Sequence, residues 1–200
     1  MLDTTLRPVK ERLVAPLVAG PVGGVSPTVI TSVGLAVTLG AAVAAWQGAV
    51  VLSVAGWLAG RLLDGLDGPV ARRQGAASDV GGLIDFTFDT VGYTAIPLAL
   101  ALNADDSTQW AVTAALLASF YLNAVTLGFT SALIEKRNQA AGSPTAVVLP
   151  RGLVEGCETI AFFTVALAAP TIATAVWAVM AIGVAATAIE RVVWATRRFR

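Results

Sequence analysis

Residues 64–89 read DGLDGPVARRQGAASDVGGLIDFTFD, and this stretch decides the expected fold. It contains four aspartates, Asp64, Asp67, Asp85 and Asp89, within a chain that is otherwise mostly apolar. A carboxylate is costly inside a membrane, so several of them near one depth indicate a functional site. The stretch therefore predicts the position of a functional site within a mostly apolar chain.

The spacing of the polar and small residues predicts two helix faces that meet. The first face follows the pattern i, i+3, i+4, i+7 and i+8, and its members are Asp64, Asp67, Gly68, Ala71 and Arg72. The second face repeats every four residues, and its members are Gly81, Asp85 and Asp89. The segment between Arg72 and Gly81 is small and polar, which favours a tight connection between the helices. Four carboxylates are then expected to converge on a small volume.

Four converging carboxylates would repel one another unless cations neutralise them. Hard divalent cations such as Mg²⁺, Mn²⁺ or Ca²⁺ take oxygen ligands, which aspartates supply. The chain contains no histidine, and its one cysteine, Cys157, is far from the aspartates in sequence. A typical zinc site is therefore not expected.

Composition independently favours a membrane protein. The chain is 56% hydrophobic and 13% charged, whereas ordinary soluble domains carry about 25% charged residues. Apolar stretches of about 20 residues are long enough to cross a bilayer. Six such stretches occur, at 27–47, 50–71, 80–102, 109–133, 146–168 and 171–193. We expect an all-α integral membrane protein with six transmembrane helices.

The distribution of lysine and arginine predicts the orientation of these spans. Basic residues occur before the first span, at the second and fourth connections, and at the end of the chain, whereas the other connections carry none. Because basic loops stay in the cytoplasm, both termini are expected to be cytoplasmic. The aspartates then lie at the cytoplasmic ends of the second and third spans. The net charge is zero, so no nucleic-acid partner is expected.

The segment before the first span has its own pattern. Leu2, Leu6, Val9, Leu13 and Leu17 recur at helical spacing, with basic residues between them. This pattern is typical of an amphipathic helix that lies on the membrane surface. We therefore expect an interfacial segment over residues 1–24, followed by a six-helix membrane domain over residues 25–200.

The motif D-x2-D-G-x2-A-R-x8-G-x3-D-x3-D, complete between Asp64 and Asp89, closely resembles the signature of the CDP-alcohol phosphotransferase family. These are integral membrane enzymes that make phospholipids. The resemblance implies transfer of a phosphatidyl group from CDP-diacylglycerol to an alcohol with release of CMP, and it favours a homodimer. It also implies that Asp64, Asp67 and Asp85 hold one or two Mg²⁺ or Mn²⁺ ions. Asp89 matches the general base of the family and would also be a ligand of a second ion.

The resemblance also implies contacts to the CDP-lipid donor. Gly68 and Ala71 are small enough to leave room for a nucleotide, Arg72 would bond a phosphate, and Ser78 stands where the family often has a polar nucleotide contact. A second donor segment resembles the family's Pro-Asn-x-x-Thr and comprises Thr28, Val29, Ile30 and Thr31, with Thr28 in place of the usual asparagine. The same segment is equally typical of a helix start, with Ser26 as cap and Pro27 in the first turn.

The acceptor site is less well marked. Arg151, Glu155 and Glu158 recur at i, i+4 and i+7 where the fifth span begins. Arg151 together with Lys136 or Arg137 would bind an acceptor phosphate, and the two glutamates would bond hydroxyls or an amine. The alternative is an Arg–Glu pair that only stabilises the helix.

The sequence leaves the identity of the acceptor open. Candidates are glycerol 3-phosphate, phosphatidylglycerol and inositol phosphate, with serine or a small amino alcohol as the alternative. The Gly-Lys-x-Lys-Thr segment of members that act on glycerol phosphate is absent from the chain. So is the second arginine of the Arg-Glu-Arg group of members that act on inositol phosphate.

Three further features have two interpretations each. Arg61 lies one turn before Asp64, where it either orients a motif carboxylate or merely compensates buried charge. Gly56 and Gly60 form a small-xxx-small pair that serves packing within the chain or a dimer interface. The aspartates would also suit a non-catalytic membrane transporter or cation-binding protein, but that function gives no reason for the glycine, alanine and arginine spacing of the motif.

Overall fold

The computed structural model describes residues 15–141, 154 and 156–199. Within these ranges the chain is all-helical and has no strand, which confirms the all-α part of the predicted fold class. Residues 15–19 are helical. The six helices after this segment are α1 (Pro27–Trp46), α2 (Val50–Arg73), α3 (Asp79–Ala104), α4 (Ser107–Ala141), α5 (Gly156–Ala168) and α6 (Ala173–Arg198). A short 3-10 turn, Pro170–Ile172, precedes α6.

Three helical stretches are long and apolar enough to cross a membrane, namely Pro27–Trp46, Ser107–Asn138 and Pro170–Arg198. The helices α2 and α3 have 24 and 26 residues but carry the charged residues of the motif. Large apolar side chains point outward from the bundle, with Val51 84% and Ile182 71% exposed. Apolar surface of this extent indicates a lipid environment. The first part of the predicted fifth span lies outside the described residues.

The helix ends follow from local residue chemistry. Ser26 is the N-cap of α1, and Pro27 occupies its first turn, as the helix-start interpretation predicts. Ser78 caps α3, because its hydroxyl oxygen accepts a hydrogen bond from the Gly81 amide at 3.1 Å. Gly75 has a φ of +65°, a conformation that glycine adopts without strain. Residues 74–78 therefore form the tight connection that brings α2 and α3 together.

An aromatic cluster forms the centre of the bundle. Trp57 of α2 stacks on Phe163 of α5 with ring centroids 4.8 Å apart, and Phe163 meets Trp177 of α6 at 4.9 Å. All three side chains are fully buried. Because large aromatic side chains bury much apolar surface, this cluster fixes α5 between α2 and α6.

The small-xxx-small pair serves packing within the chain. A Cβ atom at Gly56 would lie 3.0 Å from Ala41 Cβ, and a Cβ atom at Gly60 would collide with the Thr38 hydroxyl. Both neighbours belong to α1. The two glycines therefore allow the close approach of α1 and α2 that small residues give to membrane helices.

The chain before α1 is tied to the end of α2. Arg73 Nη1 donates a hydrogen bond to the Val18 carbonyl. Gln74 Nε2 donates to the carbonyls of Gly23 and Val25, each at 2.9 Å. The first 14 residues of the predicted interfacial segment lie outside the described residues, but these three bonds hold residues 18–25 against α2.

Substitution of Gly60 tests the close approach of α1 and α2. Gly60→Ala is expected to destabilise the protein by about 1–3 kcal/mol, because the new methyl group overpacks the interface. Gly40→Ala is the matched control, since a Cβ atom there has no heavy atom within 4 Å. Thermal unfolding of both variants in detergent measures the difference. Equal melting temperatures for the two variants would contradict the packing described for Gly60.

Candidate functional site

The end of α2 and the start of α3 bring three motif carboxylates together. Asp64, Asp67 and Asp85 each offer one carboxylate oxygen, and these three oxygens lie within 4.8 Å of one another. Asp67 is buried, whereas Asp64 and Asp85 are half-buried. The expected meeting of the two helix faces is therefore seen for these three aspartates.

Helix α1 supplies a hydroxyl to this group. Thr31 Oγ1 lies 2.7 Å from Asp67 Oδ2, within the buried interface between α1 and α2. The other Asp67 oxygen, Oδ1, accepts a hydrogen bond from the Gly68 amide. These two contacts fix the orientation of Asp67.

The chemistry of this group fits a hard divalent cation. Its members are three oxygen ligands of the kind that Mg²⁺ and Mn²⁺ prefer. Asp85 Oδ1 is buried and has no hydrogen-bond partner in the described part of the chain. Buried polar atoms normally have partners, and a cation bound between the carboxylates would supply one. Asp64, Asp67 and Asp85 are therefore the residues that could hold a metal.

Asp89 lies in a different environment from the other three aspartates. Arg61 Nη1 donates a hydrogen bond to Asp89 Oδ1, and the same nitrogen lies 3.6 Å from Asp64 Oδ2. Asp89 is not one of the three residues whose oxygens lie within 4.8 Å of one another, and its carboxylate contacts Arg61. Its role as a ligand of a second ion stays a prediction.

Arg61 is held by aromatic rings from two helices. Its guanidinium carbon lies 5.0 Å from the ring centroid of Trp57 and 5.2 Å from that of Tyr93. These distances are typical of cation–π contacts. The side chain is 7% exposed. Arg61 therefore contacts Asp89 most closely, and both interpretations of Arg61, orientation of a carboxylate and compensation of buried charge, agree with this contact.

A cavity of about 330 Å³ opens beside Asp67 and Asp85. This volume lies at the lower end of the range for small-molecule sites. Its walls include the predicted donor residues Thr28, Thr31, Gly68, Ala71, Arg72 and Ser78.

Two predicted donor residues do not line this cavity. Val29 and Ile30 are absent from its walls, because the turn of α1 points them elsewhere. Val29 is 50% exposed on the outside of the bundle, and Ile30 is buried in a small apolar cluster with Leu66 and Val70. Of the four-residue segment, the helix therefore presents only the two threonines to the cavity.

The small residues of the motif leave space for Arg72 as well as for a ligand. A Cβ atom at Gly68 would lie 3.4 Å from Arg72 Nη1, in van der Waals contact with the guanidinium. Ser78 lines the cavity while its oxygen caps α3.

The predicted acceptor residues are only partly within the described structure. Lys136 and Arg137 are exposed near the end of α4. The Arg137 guanidinium donates to the Phe199 carbonyl at 2.7 Å and covers the Phe199 ring at 4.9 Å. Glu158 lies half-buried in the first turn of α5. Arg151 and Glu155 lie outside the described residues.

Sequence reasoning missed two residues that shape the site. Trp57 and Tyr93 enclose Arg61, but neither was expected to contribute. A signal existed for each. Trp57 lies four residues before Arg61, and Tyr93 continues the four-residue spacing of Asp85 and Asp89.

Sequence reasoning also missed a buried arginine that does not line the cavity, Arg191 of α6, which is 7% exposed. Its Nη1 donates to the Asn123 carbonyl at 3.0 Å, to Asn123 Oδ1 at 2.8 Å and to the Thr126 hydroxyl at 3.2 Å. Sequence reasoning counted Arg191 only as part of the basic tail. Its partners lie on another helix, so no local spacing reveals them.

Known proteins resemble the chain in sequence and in fold. The inner membrane protein YnjF of Escherichia coli strain K12 is 30% identical over 141 residues, which are 70% of this chain and 68% of that protein. The fold resembles two crystal structures of the phosphatidylinositol phosphate synthase PgsA1 of Mycobacterium tuberculosis. The match to the structure with CDP-DAG bound has 18% sequence identity and a TM-score of 0.66. It covers 92% of this chain and 90% of the PgsA1 chain. The match to the structure with manganese and citrate has 19% sequence identity and a TM-score of 0.67. It covers 94% of this chain and 87% of the PgsA1 chain.

The family model described as CDP-alcohol phosphatidyltransferase matches residues 25–192, which is most of the chain. The match includes the complete motif between Asp64 and Asp89 and the helices that carry it. The chain belongs to the CDP-alcohol phosphatidyltransferase family and is a membrane enzyme of that class.

Proposed function

We propose that the protein transfers the phosphatidyl group of CDP-diacylglycerol to an alcohol acceptor and releases CMP. The observation that carries this proposal is the adjacency of two features. Three carboxylates that suit a divalent cation lie within 4.8 Å of one another, and two of them line a 330 Å³ cavity. A lipid-linked pyrophosphate needs both a cation and a pocket. The PgsA1 structure with CDP-DAG bound supports this donor.

The cavity walls suggest how the donor is held. Arg72 would form charge-assisted hydrogen bonds to a phosphate, and the hydroxyls of Thr28 and Ser78 would bond the nucleotide. Gly68 and Ala71 leave space at the wall. Val29 and Ile30 would contribute only by placing Thr28 and Thr31 on one side of α1.

The carboxylates of Asp64, Asp67 and Asp85 would hold Mg²⁺ or Mn²⁺. A bound ion would supply positive charge that neutralises the pyrophosphate oxygens and stabilises the departing CMP. The manganese in the second PgsA1 structure supports a divalent ion in this fold. Thr31 would act through Asp67, whose orientation it fixes.

The reaction needs a group that takes the proton of the acceptor hydroxyl. In this proposal the acceptor oxygen attacks the phosphatidyl phosphorus, a new P–O bond forms, and the P–O bond to CMP breaks. Asp89 is the general base, and its Oδ2 atom would receive the proton as the new bond forms. The contact between Asp89 Oδ1 and Arg61 supports this role, because it fixes the direction of the carboxylate.

For the acceptor we propose glycerol 3-phosphate, phosphatidylglycerol or inositol phosphate, with serine or a small amino alcohol as the alternative. An acceptor phosphate would be bound by basic residues at the end of α4 and before α5. The proposed contacts are Lys136, Arg137, Arg151, Glu155 and Glu158. Arg137 would have to release the Phe199 carbonyl to take part.

We further propose six transmembrane spans, with both termini and the site at the cytoplasmic face of the cell membrane. At 1.5 Å per residue, the 24 residues of α2 and 26 residues of α3 suffice for a hydrocarbon core of about 30 Å. The distribution of lysine and arginine supports the orientation. An interfacial segment over residues 1–24, a membrane domain over 25–200 and a homodimer remain part of this proposal.

The proposal predicts acceptor-dependent release of CMP. Purified protein with CDP-diacylglycerol and Mg²⁺ or Mn²⁺ is expected to release CMP with one member of an acceptor panel. The panel contains glycerol 3-phosphate, phosphatidylglycerol, inositol phosphate, inositol, serine and ethanolamine. Release should require the divalent cation and should disappear in Asp89→Asn. No release with any acceptor, from protein that binds Mn²⁺, would refute the proposed reaction.

Two isosteric variants should separate the roles of the aspartates. Asp89→Asn is expected to abolish turnover but to leave donor binding nearly intact, because the amide removes the proton acceptor while its oxygen can still accept the hydrogen bond from Arg61. Asp67→Asn is expected to weaken the binding of both Mn²⁺ and the donor, because it removes a ligand. Titration of each variant with Mn²⁺ and with CDP-diacylglycerol measures the difference. Near-wild-type turnover in both variants would contradict the assignment.

Thr31→Val tests whether α1 orients the metal ligand. Loss of the hydroxyl is expected to weaken Mn²⁺ binding by about tenfold, the lower end of the effect of removing a hydrogen bond to a metal ligand. Ser32→Ala is the control, because Ser32 is exposed and its hydroxyl donates to the Thr28 carbonyl of its own helix. Equal Mn²⁺ affinity in wild type and Thr31→Val would show that Asp67 needs no such support.

A further inference from the structure

Arg61 bridges two aspartates that lie on different helices. Its Nη1 atom bonds Asp89 Oδ1 and lies 3.6 Å from Asp64 Oδ2. Asp64 is also a member of the three-carboxylate group, whereas Asp89 is not. The positive charge of Arg61 therefore lies between Asp64, which belongs to the three-carboxylate group, and Asp89, the proposed general base.

The guanidinium is fixed in this position. Arginine stays protonated in proteins, so its charge is permanent. The rings of Trp57 and Tyr93 lie 5.0 and 5.2 Å from it, and the Tyr93 hydroxyl lies 3.4 Å from Nη1. Because Arg61 is 7% exposed, water offers it little alternative solvation. Movement away from Asp89 would also break the cation–π contacts.

Little space remains beside Arg61 for another ion. The cleft bounded by Thr31, Gly34, Arg61, Asp64 and Asp89 has a volume of about 10 Å³. That is about the smallest volume that holds one water molecule. Mg²⁺ dehydrates reluctantly and usually keeps several waters. A hydrated ion bridging Asp64 and Asp89 would therefore have to displace the guanidinium.

From these contacts we propose that Arg61 takes the place of a second divalent cation, so that each chain binds one ion. The inference rests on the proposed cation site of Asp64, Asp67 and Asp85. Arg61 would neutralise Asp64 and Asp89 on the side away from the donor cavity, and it would position Asp89 as the base. Asp89 is then a partner of arginine and not a metal ligand.

The number of bound ions tests this inference. Mn²⁺ titration of the purified full chain in detergent, followed by electron paramagnetic resonance of the free ion, counts the sites. Wild type is expected to bind one Mn²⁺ per chain. Arg61→Gln removes the charge but keeps a polar side chain, and it is expected to bind two. The second ion should disappear again in Arg61→Gln combined with Asp89→Asn.

Two further variants serve as controls. Arg61→Lys keeps the positive charge and is expected to bind one ion, as wild type does. Arg191→Gln removes another buried arginine, whose contacts are with Asn123 and Thr126, and it should also leave the count at one. A count of two in Arg191→Gln would mean that loss of any buried arginine loosens the site, which would overturn the inference.

The wild-type count decides between failure of the inference and failure of the proposed function, even where a variant does not fold. Two ions in wild type would overturn the role of Arg61 and leave the proposed function standing. No ion at all would overturn the proposed cation site and the inference together. One ion in both wild type and folded Arg61→Gln would overturn the inference, because something other than Arg61 would then limit the site.

Discussion

The cost of gathering negative charge inside a largely apolar bundle governs this structure. Four aspartates lie on two neighbouring helices, and carboxylates so placed need positive charge nearby. Arg61 meets part of that need from within the chain. Asp64, Asp67 and Asp85 bring carboxylate oxygens within 4.8 Å of one another, an arrangement that a bound cation would stabilise. Much of the surrounding packing can be understood as support for these charges.

Close helix packing makes that support possible. Because Gly60 lets α1 approach α2, Thr31 reaches Asp67 across the interface. On the other side, Trp57 belongs at once to the aromatic core with Phe163 and to the enclosure of Arg61. The apolar core and the charged site therefore share a residue. Trp57 therefore connects the packing in the centre of the bundle to Arg61, the residue that contacts Asp89.

Sequence patterns were sufficient for elements that depend on local spacing. The first three spans, expected at 27–47, 50–71 and 80–102, correspond closely to α1, α2 and α3, because Ser26-Pro27 and Gly75 mark their limits. The helical spacing of the motif was also enough to predict that Asp64, Asp67 and Asp85 come together. It could not show that Asp89 contacts Arg61, since that contact joins residues 28 positions apart on different helices. The resemblance of residues 28–31 to a family segment also could not show that Ile30 packs in an apolar cluster and does not line the cavity.

One wall of the cavity lies outside the eight-residue motif. Thr28 and Thr31 come from α1, whereas the motif that carries the reactive carboxylates occupies α2 and α3. Variation in α1 can therefore change the shape and polarity of this cavity wall without altering any residue of the motif. Thr28, where the family segment that residues 28–31 resemble usually has asparagine or aspartate, is a difference of this kind.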